Sequence, residues 1–310
     1  MSCAGGHKRF SLKEAAPLKQ LPIEASPWVW EARPDVWLLI GSLALGYWWS
    51  VSRLRVKLPG EIPAPSRAVC AKFGSGLAIL WLAVDWPMDR LGDDFLFSAH
   101  MVQFLLITLV SAPLLVQGVP GWLQLELPRP IIAILRYMAR GPGALGVFQV
   151  VLVGTHLPAV VSLYTSNSLV HFSLHALWIL AGCLFWLPLV GEEPVLRPLP
   201  NPLKVVYLIA ASIVPTVPAG FLTWAQSPIY ESYAAAPRVW GLSAVQDLQI
   251  SGLVMKLGGG LILWIWILKV YVSWASSERP SGRAIRVSTC AGSAGREGVV
   301  KASRVSSNSR

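Results

Sequence analysis

The chain reads as an all-α polytopic membrane protein, a bundle of seven transmembrane helices, and three observations predict it. Hydrophobic residues make up 54% of its 310 positions and charged residues only 14%, against about 25% charged in an average soluble domain. Mean hydropathy is +0.54. The apolar residues gather in stretches close to the roughly 20 residues that a helix needs to cross a bilayer. A soluble fold with so few charges would expose large apolar patches. Disorder, collagen and a disulfide scaffold are excluded by the same composition.

Taken in order, residues 1–34 form a polar N-terminal tail with mixed charges and no long apolar core, which excludes a signal peptide. Spans are expected at 35–52, 68–85, 95–118, 143–164, 169–190, 203–225 and 247–273. These form one transmembrane domain, 35–273. Residues 274–310 are rich in Ser, Gly and Arg without apolar periodicity, and are read as a disordered basic tail. Trp48, Trp49, Trp86, Trp122, Trp186, Trp224, Tyr230 and Trp240 fall near span ends, as an interfacial aromatic belt would. The four cysteines are far apart and form no metal-type spacing.

The net charge is +10. In a membrane protein this indicates basic cytoplasmic loops beside an anionic leaflet, with no call for nucleic acid. The first, third and fifth connections and the C-terminal end carry 18 Lys and Arg, and the other side carries 7. The positive-inside rule then puts the N-terminus outside and the C-terminus in the cytoplasm.

Polar residues inside a membrane are costly and therefore informative. Four of the five histidines, His100, His156, His171 and His175, lie within or at the ends of spans, and the orientation puts all four in the outer leaflet. His171 and His175 are four apart and share a helix face, so they can grip one ion. Met101 follows His100, Asp247 enters the last span from outside, and Met255 lies about two turns below it. Imidazole with thioether favours cuprous copper, and imidazole also ligates haem iron. Gln103, Gln249, Tyr230 and Tyr233 lie at similar depth. Taken singly, each histidine also fits interhelical hydrogen bonding. Lys256 is expected to snorkel, or to pair with Asp85 or Asp247. A retinal Schiff base there lacks a counter-ion on the third span. Gly258-Gly259-Gly260 follows no strand and is no phosphate loop, and no hydrolase, kinase or dehydrogenase motif is present.

Several short segments in one order carry a resemblance. Ser98-Ala99-His100-Met101-Val102-Gln103 is followed by Ala112-Pro113-Leu114-Leu115 and Gly118-Val119-Pro120. Then come Thr155-His156-Leu157-Pro158-Ala159, His171 to His175, Ser227-Pro228-Ile229-Tyr230 and Asp247 to Met255. Together they resemble the multi-pass CtaG-type, caa-type cytochrome c oxidase assembly factors, over roughly residues 73–260. The chain departs from that pattern at Phe104 (usually His), Leu174 (usually Glu), Leu248 (usually Gln) and Lys256 (usually aromatic).

The resemblance implies a non-enzymatic seven-helix protein of the bacterial cell membrane, needed to form a functional haem–copper oxidase, with oxidase subunits and the lipid bilayer as partners. Supply of copper is the role usually proposed for such factors. The expected metal ligands are His100, His156, His171, His175, Met101, Asp247 and Met255. A bis-His haem redox protein, and a transporter or channel using the histidines as a proton relay, stand as alternatives.

Overall fold

The computed structural model describes residues 26–58, 62–191 and 197–277. The tail expected before residue 26 and the basic tail expected after 277 lie outside the described residues. Among the described residues all regular structure is helical.

Each helix starts where the sequence supplies a start signal. Helix α1, Pro34–Trp49, has Pro at its first position and runs on through a π-helical turn, Ser50–Leu54. Helix α2, Arg67–Val84, is capped by the Ser66 hydroxyl, which accepts from Val69 N. Helix α3, Phe97–Gly118, contains a second π turn, Leu106–Ser111. The amphipathic α4, Arg129–Met138, buries none of its residues and meets α5, Pro142–Thr155, at 86°. Helix α6, Pro158–Ser166, follows a break at His156. Asn167 caps α7, Ser168–Val190, accepting from Leu169 N and Val170 N. Helix α8, Asn201–Thr223, breaks ahead of Pro215. After the short α9, Glu231–Ala235, a Ser243/Gln246 capping box starts α10, Ala244–Ser277.

Among the described residues five helices (α2, α3, α7, α8 and α10) are long and apolar enough to cross a membrane, and a sixth span exists if the bent pair α4 and α5 is one. These five match the expected spans two, three, five, six and seven to within a few residues. The count of seven is not confirmed: length and composition support five or six. The first expected span falls short because its regular α-helix ends at Trp49 after 16 residues. The fourth is cut because Pro158 has no N–H and constrains the residue before it, so the helix stops at Thr155 and restarts at Pro158.

Helix α3 is the centre of the bundle, and α2, α7 and α10 pack against it. A Cβ on Gly182 of α7 would lie 3.0 Å from Thr108 Cα, so glycine permits the close approach of these two backbones. Pro113 cannot donate to a carbonyl inside the π turn of α3. The Thr108 carbonyl instead accepts from Trp186 Nε1 at 2.9 Å. Trp186 is fully buried by this contact, which corrects its expected place in the aromatic belt. Trp48, Trp49, Trp224 and Trp240 are exposed, as a belt requires.

The helix directions sort the connections by end. Residues 85–96, 156–167 and 224–243 lie at one end, with all four histidines on its side. The strongly basic connections after α1, around α4 and before α8 lie at the other.

Candidate metal centre

The connection from Asp85 to Leu96, helical over Met88–Phe95, folds back over the start of α3. A Cβ on Gly92 would stand 3.2 Å from the His100 backbone, so glycine eases the close approach of this segment to α3. Tyr233 of α9 donates to the Gly92 carbonyl at 2.6 Å and pins the loop. Asp89 is thereby laid against the first two turns of α7.

There Asp89, His171 and His175 each place one ligand atom within 4.8 Å of the others, and all three side chains are buried. Asp89 Oδ1 is 3.6 Å from His171 Nε2 and 3.9 Å from His175 Nδ1. Asp93 Oδ2 adds a second carboxylate, 2.9 Å from His171 Nε2. The two imidazoles lie 4.3 Å apart between centroids, as residues four apart on one helix face should.

Asp89 is held from two directions. Gln103 of α3 donates to its Oδ1 at 2.9 Å and to the Ala83 carbonyl at 2.9 Å. Arg33, just before α1, forms an ion pair with Oδ2. Burial pushes the Asp89 carboxyl up to about 7, and Asp93 pushes the same way, against His171 and Arg33. Burial works against the Arg33 charge, but Asp89 and Asp35 outweigh it and hold the guanidinium above its ordinary range. An acidic cleft leads in from the surface, lined by Glu31, Arg33, Asp89, Asp93 and Asp94 among others.

Two imidazoles and a carboxylate form a set that suits copper(II), zinc or iron. His175 Nε2 is buried and meets no protein partner. Such an atom costs about 1–3 kcal/mol unless something binds it. The donor set fits a bound transition-metal ion, with His175 Nδ1 facing Asp89 and the unpartnered Nε2 being the other nitrogen of that ring.

The other expected ligands are placed differently. His100 stacks face to face on Tyr164 with centroids 5.0 Å apart, and meets Trp178 edge-on at 5.0 Å. The Tyr164 hydroxyl lies 3.2 Å from its Nε2. His156 Nδ1 donates to the Leu152 carbonyl at 2.5 Å, and its ring meets Phe104 at 5.4 Å. Its Nε2 is also buried without a protein partner. Met101 is fully buried in the core on a different face of α3 from His100. Met255 lines a separate apolar pocket.

Asp247 has another task. Its carboxylate accepts from Phe97 N at 2.7 Å, Ser98 N at 3.1 Å and Ser98 Oγ at 2.5 Å. It supplies the N-terminus of α3 with the acceptors that the first helical amides lack. Lys256 pairs with neither Asp85 nor Asp247: it donates to Thr216 Oγ1 and to the Ser212 carbonyl. The break in α8 explains this. Pro215 cannot donate to the Ala211 carbonyl, which Gln149 takes at 3.0 Å, and the loosened turn presents Ser212 and Thr216 to Lys256.

Sequence reasoning missed Asp89, Asp93 and Arg33. A signal existed: Asp85, Asp89 and Asp93 recur every four residues, in a chain with only 16 acids, on the histidine side. The departures at Phe104, Leu174 and Leu248 are all buried among apolar residues, so their apolar side chains suit their surroundings.

The comparisons with known proteins agree with the motif order. No curated protein matches the chain, and no solved structure does. A family model described as cytochrome c oxidase caa3 assembly factor (Caa3_CtaG) matches residues 45–277, three quarters of the chain. The chain belongs to the caa3-type cytochrome c oxidase assembly factor family.

Proposed function

We propose that this protein is a non-catalytic copper-handling factor that serves assembly of a haem–copper oxidase, and that Asp89, His171 and His175 hold the ion. The juxtaposition of those three buried donors carries the reading. Copper is cargo here, delivered to an oxidase subunit. The carboxylate shifts the expected oxidation state: imidazole with thioether favours cuprous ion, whereas two imidazoles and a carboxylate favour cupric. Arg33 neutralises Asp89 through Oδ2 in the metal-free protein and so competes for its charge with an ion entering on the Oδ1 side. Loading is then an exchange of one cation for another, which suits a donor that has to release its ion.

The acidic cleft and histidines lie at the end opposite the basic connections, so the positive-inside rule assigns them to the outer face of a bacterial cell membrane. Two observations favour an ion over the alternatives. His171 and His175 project from one helix face and therefore lie on the same side of any macrocycle, so they cannot be opposite axial ligands of haem. Beneath the histidines, Phe104, Phe148 and Phe185 form an apolar aromatic layer that interrupts a proton path.

Purified full-length protein loaded with copper(II) should show paramagnetic resonance hyperfine structure from two imidazole nitrogens. If His171→Ala plus His175→Ala leaves that spectrum and the bound copper unchanged, the assignment is wrong. A deletion strain should retain oxidase polypeptides while losing copper-dependent oxidase activity.

A further inference from the structure

Behind Phe104, apart from the Asp89 trio, lies an apolar pocket between α3, α5, α8 and α10; the roughly 460 Å³ of space it spans includes its open edge, and little of it is enclosed. Its walls include Phe104, Phe148, Phe185, Pro215, Met255 and Leu263. The polar groups at it are Lys256 and Ser212. Lys256 sits in a π turn, Val254–Gly258, at the pocket edge; such turns recur at functional sites. Neighbouring Leu257 and Ile213 are exposed on the outside of the bundle, so the edge opens sideways to lipid.

The depth of Lys256 is the informative quantity. Asp247 marks the level where α3 begins, since it binds Phe97 N. Lys256 is nine residues further along α10, about 14 Å at 1.5 Å per residue. Helix α3 is 22 residues, about 33 Å long. The ammonium is therefore near mid-bilayer. Among the described residues no carboxylate forms an ion pair with it; its partners are a hydroxyl and a carbonyl. Charged groups at that depth are rare and are normally paired.

We infer that this pocket binds a long-chain fatty acid, its carboxylate on Lys256 and its alkyl tail among the phenylalanines. An anion is selected because the only unbalanced charge at the pocket is positive. A single-chain acid is selected because phospholipid headgroups stay at the interface, roughly 15 Å from the midplane of a 30 Å hydrocarbon core.

The test uses the full-length protein in phosphatidylcholine nanodiscs, titrated with stearic acid spin-labelled near its methyl end. The immobilised fraction is read by paramagnetic resonance. One saturable site per chain is expected. Lys256→Met should weaken binding at least tenfold, and Lys256→Arg should keep it. The labelled methyl ester should bind at least tenfold more weakly to the unmodified protein. Gly260→Leu fills the pocket from a position where an added Cβ meets nothing within 4 Å, and should also abolish the site with Lys256 in place. The ester and Gly260→Leu arms leave Lys256 intact, so the proposal stays testable if Lys256→Met misfolds. Ester binding as tight as the acid, unaltered binding to Lys256→Met or to Gly260→Leu, or an immobilised fraction that never saturates would overturn it. Equal competition by a spin-labelled phosphatidylglycerol would place the site at the headgroup level and overturn it as well.

Discussion

Asp89 and Asp247 sit at the same end of the bundle and are equally buried, each 2% exposed. Their surroundings differ. Asp247 is saturated by two backbone amides and a hydroxyl, all fixed by the start of α3. Asp89 faces a guanidinium, a glutamine amide and two imidazoles, all carried by side chains that can rearrange. A carboxylate bound to rigid amides stabilises a fold. One bound to a mobile cation can exchange that cation for another. The chemical opportunity of a buried acid is set by whether its partners can leave.

The sharpest way to break this comparison is to remove each acid in turn. Asp89→Asn should lower copper affinity by about 100-fold or more, since a charged ligand is lost from a three-donor site, with little change in Tm. Asp247→Ala should do the reverse. It leaves buried amides unsatisfied, at about 1–3 kcal/mol, and should lower Tm while copper bound per folded chain stays the same. Thermal melts and copper stoichiometry on both variants decide between the two roles.

The histidines extend the contrast with a smaller effect. His100→Gln, which removes the stack on Tyr164, should cost stability on the order of 1 kcal/mol and leave copper stoichiometry at the wild-type value. A loss of copper in His100→Gln would enlarge the site beyond the trio. Arg33 gives an effect of opposite sign. Arg33→Met removes the cation that competes for Asp89, and should tighten copper binding by about tenfold, measured by competition against a chelator. Weaker binding in this variant would mean that Arg33 organises the site.

Five spans were legible because length and hydropathy alone define them. The other two expected spans are not confirmed, for local reasons. The α1 stretch is carried over into a π turn after Trp49, and Pro158 forces a break that hydropathy does not register. The clustering of four histidines at one end could be read from orientation. The identity of the carboxylate could not. Asp247 enters its span from the histidine side, about two turns above Met255, and attracted the assignment, but whether it was free depended on the amides of Phe97 and Ser98, 150 and 149 residues away. Asp89 lies in a short helical connection, Met88–Phe95, too brief for an apolar period to assign it a face. Only the fold of the loop over Gly92 brings it to α7. Likewise the partner of Lys256 depended on a break in α8 rather than on the nearest acid.

The most direct test of the central claim is copper(II) binding by purified full-length protein, wild type against Asp89→Asn and Asp247→Asn in parallel. The account predicts one copper per chain in wild type and in Asp247→Asn, with two-nitrogen hyperfine structure, and none at equal free copper in Asp89→Asn. Equal binding by wild type and Asp89→Asn, with loss in Asp247→Asn, would contradict it and return the site to the carboxylate that the sequence first suggested.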